Sequence, residues 1–359
     1  MEPAVRLGTL LVLATACASR APTAQGPATD AVPSAGAAAA PSPPASAPDV
    51  SLPRDAASAR RPFAPIRGGE PVVAGISYGP FRRDQRPGGP NPSRAEIAED
   101  LAILAERWGM IRVYSSRAPT ETILEIVRDD ALPLQVMVGV WIAPRTEPGA
   151  AEANAAEVAE AIRLANAYPE QVLAINVGNE SQVAWSAHRS DRGALIRHLR
   201  EVRAAVTQPV TTADDYNFWN KPESHAVAAE VDFLLLHAYA MWNQQSLADA
   251  VPWTAATIES IQAEHPDLRI VMGETGWATQ LNPEGDEVAH IVAPAGEAEQ
   301  ASFYAAFTAW AGEVGQPYFY FEAFDEPWKG SLEPREVEKH WGLYDVDRRP
   351  KQVLRGGTP

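Results

Sequence analysis

Eight short apolar runs, each bounded by turn residues and most followed by a stretch of helical spacing, constrain this chain more than any other feature. The runs are Val72–Ser77, Met110–Tyr114, Leu134–Ile142, Val172–Val177, Pro209–Thr212, Val231–His237, Ile270–Gly273 and Pro317–Phe324. Runs of this length with flanking Gly and Pro read as buried strands. Between them, Ser93 and Glu96 form a capping box that opens a helix carrying Ile97, Leu101, Leu104 and Trp108. Further helices are predicted over Glu121–Asp130, about 151–167, Arg192–Ala205, about 246–264 and about 297–313, with a weak one near 222–230. Such alternation predicts an α/β fold, a single (β/α)8 TIM barrel spanning 67–359. An open doubly wound sheet is the alternative. Against it, the segment after the first strand, Gly75–Pro90, carries no G-x-G-x-x-G fingerprint.

Residues 18–66 are mostly Ala, Pro, Ser, Gly and Thr with almost nothing to bury, and the first aromatic among them is Phe63. A segment of that kind cannot offset its ordering entropy, so a disordered linker is expected. Ahead of it, Leu7–Ala16 is an apolar run too short to span a bilayer. Ala14-Thr-Ala-Cys17 resembles a bacterial lipobox, although Leu13 stands one place further from the cysteine than usual. Residues 1–17 therefore read as a lipoprotein signal peptide, with Cys17 lipidated and the protein exported to the cell envelope on a membrane anchor. An ordinary cleaved signal is the alternative. Because Cys17 is the sole cysteine, no internal disulfide can form. The net charge of −16 disfavours nucleic acid, which needs a basic face.

Chemistry concentrates at the ends of the strands, where a barrel of this kind builds its active face. The second strand presents Arg112 and Tyr114, the third Trp141, and the fourth Asn179 and Glu180. The sixth ends in His237 and Tyr239, the seventh in Glu274 and Trp277, and the eighth in Glu322, Asp325, Glu326 and Trp328. A charge at the tip of a buried strand is costly unless paired or used. Here two strands end in Glu beside Gly, which suggests two carboxylates meeting in one pocket. Glycoside hydrolysis needs such a pair, and a separation of about 5 Å would imply a retaining double displacement. Mutual repulsion should keep one of the two protonated. Asn179 could bond a sugar 2-hydroxyl, Arg112 could hold a nucleophile ionised, and Tyr239 could donate to it.

Three blocks, Val177-Gly-Asn-Glu180, Gly273-Glu-Thr-Gly-Trp277 and Phe321-Glu-Ala-Phe-Asp-Glu-Pro-Trp-Lys329, together resemble glycoside hydrolase family 17, the β-1,3-glucanases. The opening Gly75-Ile-Ser-Tyr78-Gly79 and the late Trp341-Gly-Leu-Tyr344 extend the resemblance over about 72–350, nearer the bacterial and fungal branch. It implies that Glu180 is the acid/base and Glu274 the nucleophile, acting on β-glucan with no cofactor, by hydrolysis or by transfer to another sugar. Glu322 and Lys329 would be substrate-binding or supporting groups. Tyr78, Arg112, Tyr114, Asn179, Tyr239, Trp277 and Trp328 complete the expected substrate contacts. A monomer is expected.

Plainer readings stand beside these. Arg112 could pair with a neighbouring acid, and His237 could be a satisfied strand-end histidine instead of a sugar contact. Asp214-Asp215 could face substrate or form a solvated turn. Metal binding by His237 with the two Glu has no supporting His or Cys spacing. Trp277 and Trp328 suit sugar stacking better than Trp108 and Trp310, which fall at helical core spacing. A non-catalytic glucan-binding lipoprotein would keep the aromatic platform without needing both Glu.

Overall fold

A computed structural model describes residues 59–355; Cys17 and most of the expected linker lie outside them. Eight parallel strands close into a barrel: β1 (Ala74–Ser77), β2 (Met110–Arg112), β3 (Gln135–Val140), β4 (Val172–Asn179), β5 (Val210–Asp215), β6 (Leu234–His237), β7 (Ile270–Thr275) and β8 (Tyr318–Tyr320). Each strand pairs with its neighbours in sequence, and β8 closes on β1. Helices α1 (Arg94–Ala105), α2 (Thr120–Asp129), α3 (Ala150–Ala167), α4 (Arg192–Ala205), α5 (Ala250–Glu264) and α6 (Glu297–Val314) accompany them. The expected capping box opens α1: Ser93 Oγ accepts from the Glu96 N–H, and Glu96 accepts from the Ser93 N–H at 2.7 Å. Between β5 and β6 the predicted helix over 222–230 is instead two single turns, Tyr216–Trp219 and His225–Ala228, with a short 3-10 turn between them.

Two apolar layers follow from the strand period of two. Outward residues such as Ile76, Ile111, Val138, Ile175 and Leu236 pack on the helices through Leu101, Leu124, Leu164, Leu199 and Phe307. Inward residues Met110, Met137, Ala174, Ala213, Leu235 and Val271 fill the barrel floor. Phe63 belongs to this floor, 4.7 Å from Phe233 between ring centres. Nearby, the Arg61 N–H donates to Asp232 at 3.0 Å. Folded structure thus begins before residue 67, because one aromatic inside the Ala/Pro-rich stretch closes the bottom of the barrel. Among the described residues no helix is long and apolar enough to cross a membrane.

Candidate active site

At the opposite end from Phe63, the inward positions turn polar: Ser77, Arg112, Asn176, His237 and Glu274 are all buried. Simple alternation does not bring both carboxylates there. From the inward Val271, a period of two would send Glu274 outward. The pairing shifts instead, with Leu236 opposite Met272 and the next residue, His237, opposite Glu274. One extra residue in β7, at Gly273, forms a bulge that re-aims the following side chain. A similar slip in β4 sets Asn176 opposite Thr211 and Asn179 opposite Ala213, three residues against two. Gly178 adopts φ 81° in this slip, and a Cβ there would meet Ser181 Oγ at 2.5 Å. Glu180 follows with φ 48°.

The result is a tight polar cluster. Ligating atoms of Glu180, His237 and Glu274 all lie within 4.8 Å of one another. Glu274 Oε1 accepts from Arg112 Nη1 at 2.8 Å and from the Tyr114 hydroxyl at 2.9 Å. Its Oε2 accepts from the Tyr239 hydroxyl at 2.8 Å. Burial alone would raise the pKa of Glu274, but the Arg112 guanidinium and the two phenol donors oppose it, and the carboxyl ends below its ordinary value. Burial and the neighbouring Glu274 push the Tyr114 phenol well up, which keeps it a donor. Gly139 makes room for Tyr114, since a Cβ at that position would sit 2.4 Å from the Tyr114 carbonyl carbon.

His237 joins the two acids. Burial lowers its pKa to about 3, so the ring is neutral at ordinary pH. Arg112 Nη1 lies 3.1 Å from His237 Nε2. A guanidinium can only donate, so Nε2 accepts and the ring proton resides on Nδ1. That Nδ1–H donates to Glu180 Oε1 at 3.1 Å. Arg112 Nη2 also donates to Asn179 Oδ1 at 2.5 Å, which fixes the amide orientation and leaves its NH2 to donate elsewhere. Three such ligating atoms could in principle hold a metal. Here Arg112 already occupies the Nε2 lone pair and Glu274 Oε1, and its fixed positive charge repels a second cation.

Beyond β8, Lys329 Nζ donates to both oxygens of Glu322, at 2.8 and 2.7 Å, and lies 2.8 Å from Glu326 Oε2. Burial raises Glu322 well above the carboxylate range, Lys329 opposing and Glu326 reinforcing. Trp328 is half-buried, with its indole N–H donating to Glu326 at 3.1 Å.

Two expected contacts are not at this mouth. Tyr78 shares the outward face of β1 with Ile76, and its hydroxyl donates to Asp100 of α1 at 3.1 Å. Alternation from Ile76 would have placed it there. Trp277 is 0% exposed, its ring 5.4 Å from Phe303 of α6 and its N–H bonded to the Pro294 carbonyl. Past the β7 bulge, its ring is covered by α6 and offers no face to a sugar. The Asp pair divides. Ala213, the residue before it, points inward on the floor, so Asp214 points outward and Asp215 inward. His237 was legible as a strand-end residue; its hydrogen bond to Glu180 was not, because that depends on the slip in β4.

A closed barrel whose mouth holds two carboxylates this close, one of them clamped by a guanidinium and two phenols, has the furniture of a glycoside hydrolase. A family model described as the BtgE/BtgC glycoside hydrolase domain matches residues 75–342. The chain belongs to this family, in keeping with the family 17 resemblance. It is 27% identical over 283 residues to the glucan 1,3-beta-glucosidase of Arthroderma benhamiae, covering 74% of this chain and 86% of that one. It is also 27% identical to the putative glucan endo-1,3-beta-glucosidase btgC of Aspergillus niger, covering 72% of this chain but 40% of the relative's length. Among solved structures, an endo-laminarinase from Formosa Hel1_33_131 aligns with a TM-score of 0.71 at 28% identity, covering 80% of this chain and 90% of its own. An active-site mutant of a Rhizomucor miehei beta-1,3-glucanosyltransferase, in complex with laminaritriose, shares the fold with a TM-score of 0.63 at 19% identity, covering 79% and 96%.

Proposed function

We propose that this glycoside hydrolase acts on β-1,3-glucan by a retaining double displacement, with Glu274 as nucleophile and Glu180 as acid/base. The observation that carries the mechanism is the 4.8 Å limit on the separation of ligating oxygens from the two acids. Inverting pairs stand roughly 6.5–9.5 Å apart to admit a water and retaining pairs about 5 Å, so this close approach of one oxygen from each acid supports the retaining reading. The names of the A. benhamiae relative and the Formosa laminarinase support the substrate.

The roles follow from the clamps. Glu274, held ionised, attacks the anomeric carbon as the glycosidic C–O bond breaks. Glu180 gives its proton to the departing oxygen. His237 Nδ1–H occupies Glu180 Oε1, so the transferable proton sits on Oε2. The glycosyl ester on Glu274 is then opened by water, or by a sugar hydroxyl, whose proton returns to Glu180. Asn179, its oxygen tied to Arg112, offers an N–H to the sugar 2-hydroxyl. Trp328 and the half-buried Trp141 offer ring faces for stacking. Glu322 and Lys329 line the same mouth and bind or support the sugar.

Water and sugar acceptors are separated by products. Incubation with a defined β-1,3-gluco-oligosaccharide is expected to give shorter chains, with some longer ones if a sugar competes for the ester. Failure to change the oligosaccharide at all would leave only a binding protein.

We also propose export and lipidation at Cys17. A tether joining at residue 59 would meet the domain near Phe63, on the barrel floor, at the end opposite the acid pair. Cys17→Ala is expected to move the protein out of the membrane fraction; unchanged fractionation would remove the anchor from the account.

A further inference from the structure

Glu180 leaves β4 in the left-handed region, at φ 48°. For a residue with a side chain that conformation is strained. It persists only where the surroundings enforce it. Two consecutive residues of β5 do so. The Glu180 N–H donates to the Ala213 carbonyl at 2.9 Å. Asp214, next in sequence, accepts the N–H of Gln182 at 2.8 Å on Oδ2 and that of Val183 at 3.1 Å on Oδ1. Its third donor is the Asp215 N–H, at 2.9 Å. Further along, the Ser190 N–H donates to the Ser181 carbonyl at 2.9 Å and closes the loop on itself.

Asp214 is 0% exposed and faces the helix layer, away from any sugar. Its three donors are main-chain N–H groups, not a cation. Burial outweighs them and lifts its pKa to about 8. A carboxyl is an expensive way to fill that wall, and it is placed where it grips the two N–H groups that follow the turn. We propose that Asp214 is a positioning residue for the acid/base: its two oxygens hold the Ser181–Val183 segment so that the left-handed turn aims the Glu180 carboxyl at the glycosidic oxygen. This inference rests on the reading of Glu180 as the acid/base.

A proton donor matters for a sugar leaving group and hardly at all for dinitrophenolate, which departs without one. Asp214→Asn and Glu180→Ala are therefore compared on a β-1,3-gluco-oligosaccharide and on a dinitrophenyl β-glucoside, the latter with azide present to open the ester without a base. For Asp214→Asn, kcat on the oligosaccharide is expected to fall about a hundredfold, the size of a misplacement near 1 Å. KM should stay near its original value, and dinitrophenyl glucoside turnover within a few-fold of the parent. Equal losses on both substrates, or no loss on either, would overturn the proposal. Asp214→Glu keeps the carboxyl but displaces it, and should show the same split. Failure of both variants to fold would make Asp214 a purely structural residue and would likewise overturn it. The Glu180→Ala arm separates the two readings. If that variant shows no split, the acid/base assignment fails; if it does and Asp214→Asn does not, only the positioning role falls.

Discussion

Replacing Glu274 with Gln is expected to lower turnover of a β-1,3-glucan by roughly 10⁴- to 10⁶-fold, the range seen when a covalent nucleophile is removed. The amide keeps one oxygen to accept from Arg112 and nearly the same volume, so the barrel should still form. It cannot form the glycosyl ester, and no neighbour is placed to substitute. Tyr114 and Tyr239 are both committed as donors to this carboxylate, at 2.9 and 2.8 Å. A cooperative melt near that of the parent separates lost chemistry from lost fold. Near-normal hydrolysis by the folded variant would end the assignment of Glu274.

The second large effect concerns Arg112. Its guanidinium is 0% exposed and lies within hydrogen-bond reach of Glu274, Asn179, His237 Nε2 and the Gly273 carbonyl. Arg112→Met removes the cation and leaves the Glu274 carboxyl buried beside two phenols. Losing one partner of a buried pair costs on the order of 3–5 kcal/mol, readable in urea unfolding. Without the cation the carboxyl should also titrate higher, so the acid limb of kcat/KM should move to higher pH. Adding Glu274→Gln to Arg112→Met should return part of the lost stability, since the stranded charge is then gone. Strictly additive losses would mean that the two side chains do not act on each other.

Much of this was legible in the chain. Strand and helix alternation gave the barrel, and the strand tips gave Glu180, Glu274, Arg112, Tyr114, Asn179 and Tyr239, which the structure gathers at one end. What escaped is what period-two reasoning cannot see. Gly273 reads as one more strand residue, yet it is the extra residue of a bulge that turns Glu274 inward. Glycine inside a strand is the available signal for such a slip, and Gly178 marks the companion slip in β4. Applied where it does hold, alternation from Ile76 would have excluded Tyr78. Trp277 could not be placed from spacing, because only the packing of α6 over it decides its burial. Phe63 was hidden by its surroundings: a single aromatic in a low-complexity stretch reads as linker until the floor it fills is built.

The mechanism itself is tested by the configuration of the first product. Proton NMR of the sugar freshly released from a β-1,3-gluco-oligosaccharide, followed before mutarotation equilibrates it, distinguishes two displacements from one. The account predicts that the β anomer appears first and the α anomer only later, as mutarotation proceeds. Initial release of the α anomer would mean a single inverting displacement, and would contradict a covalent bond between the sugar and Glu274.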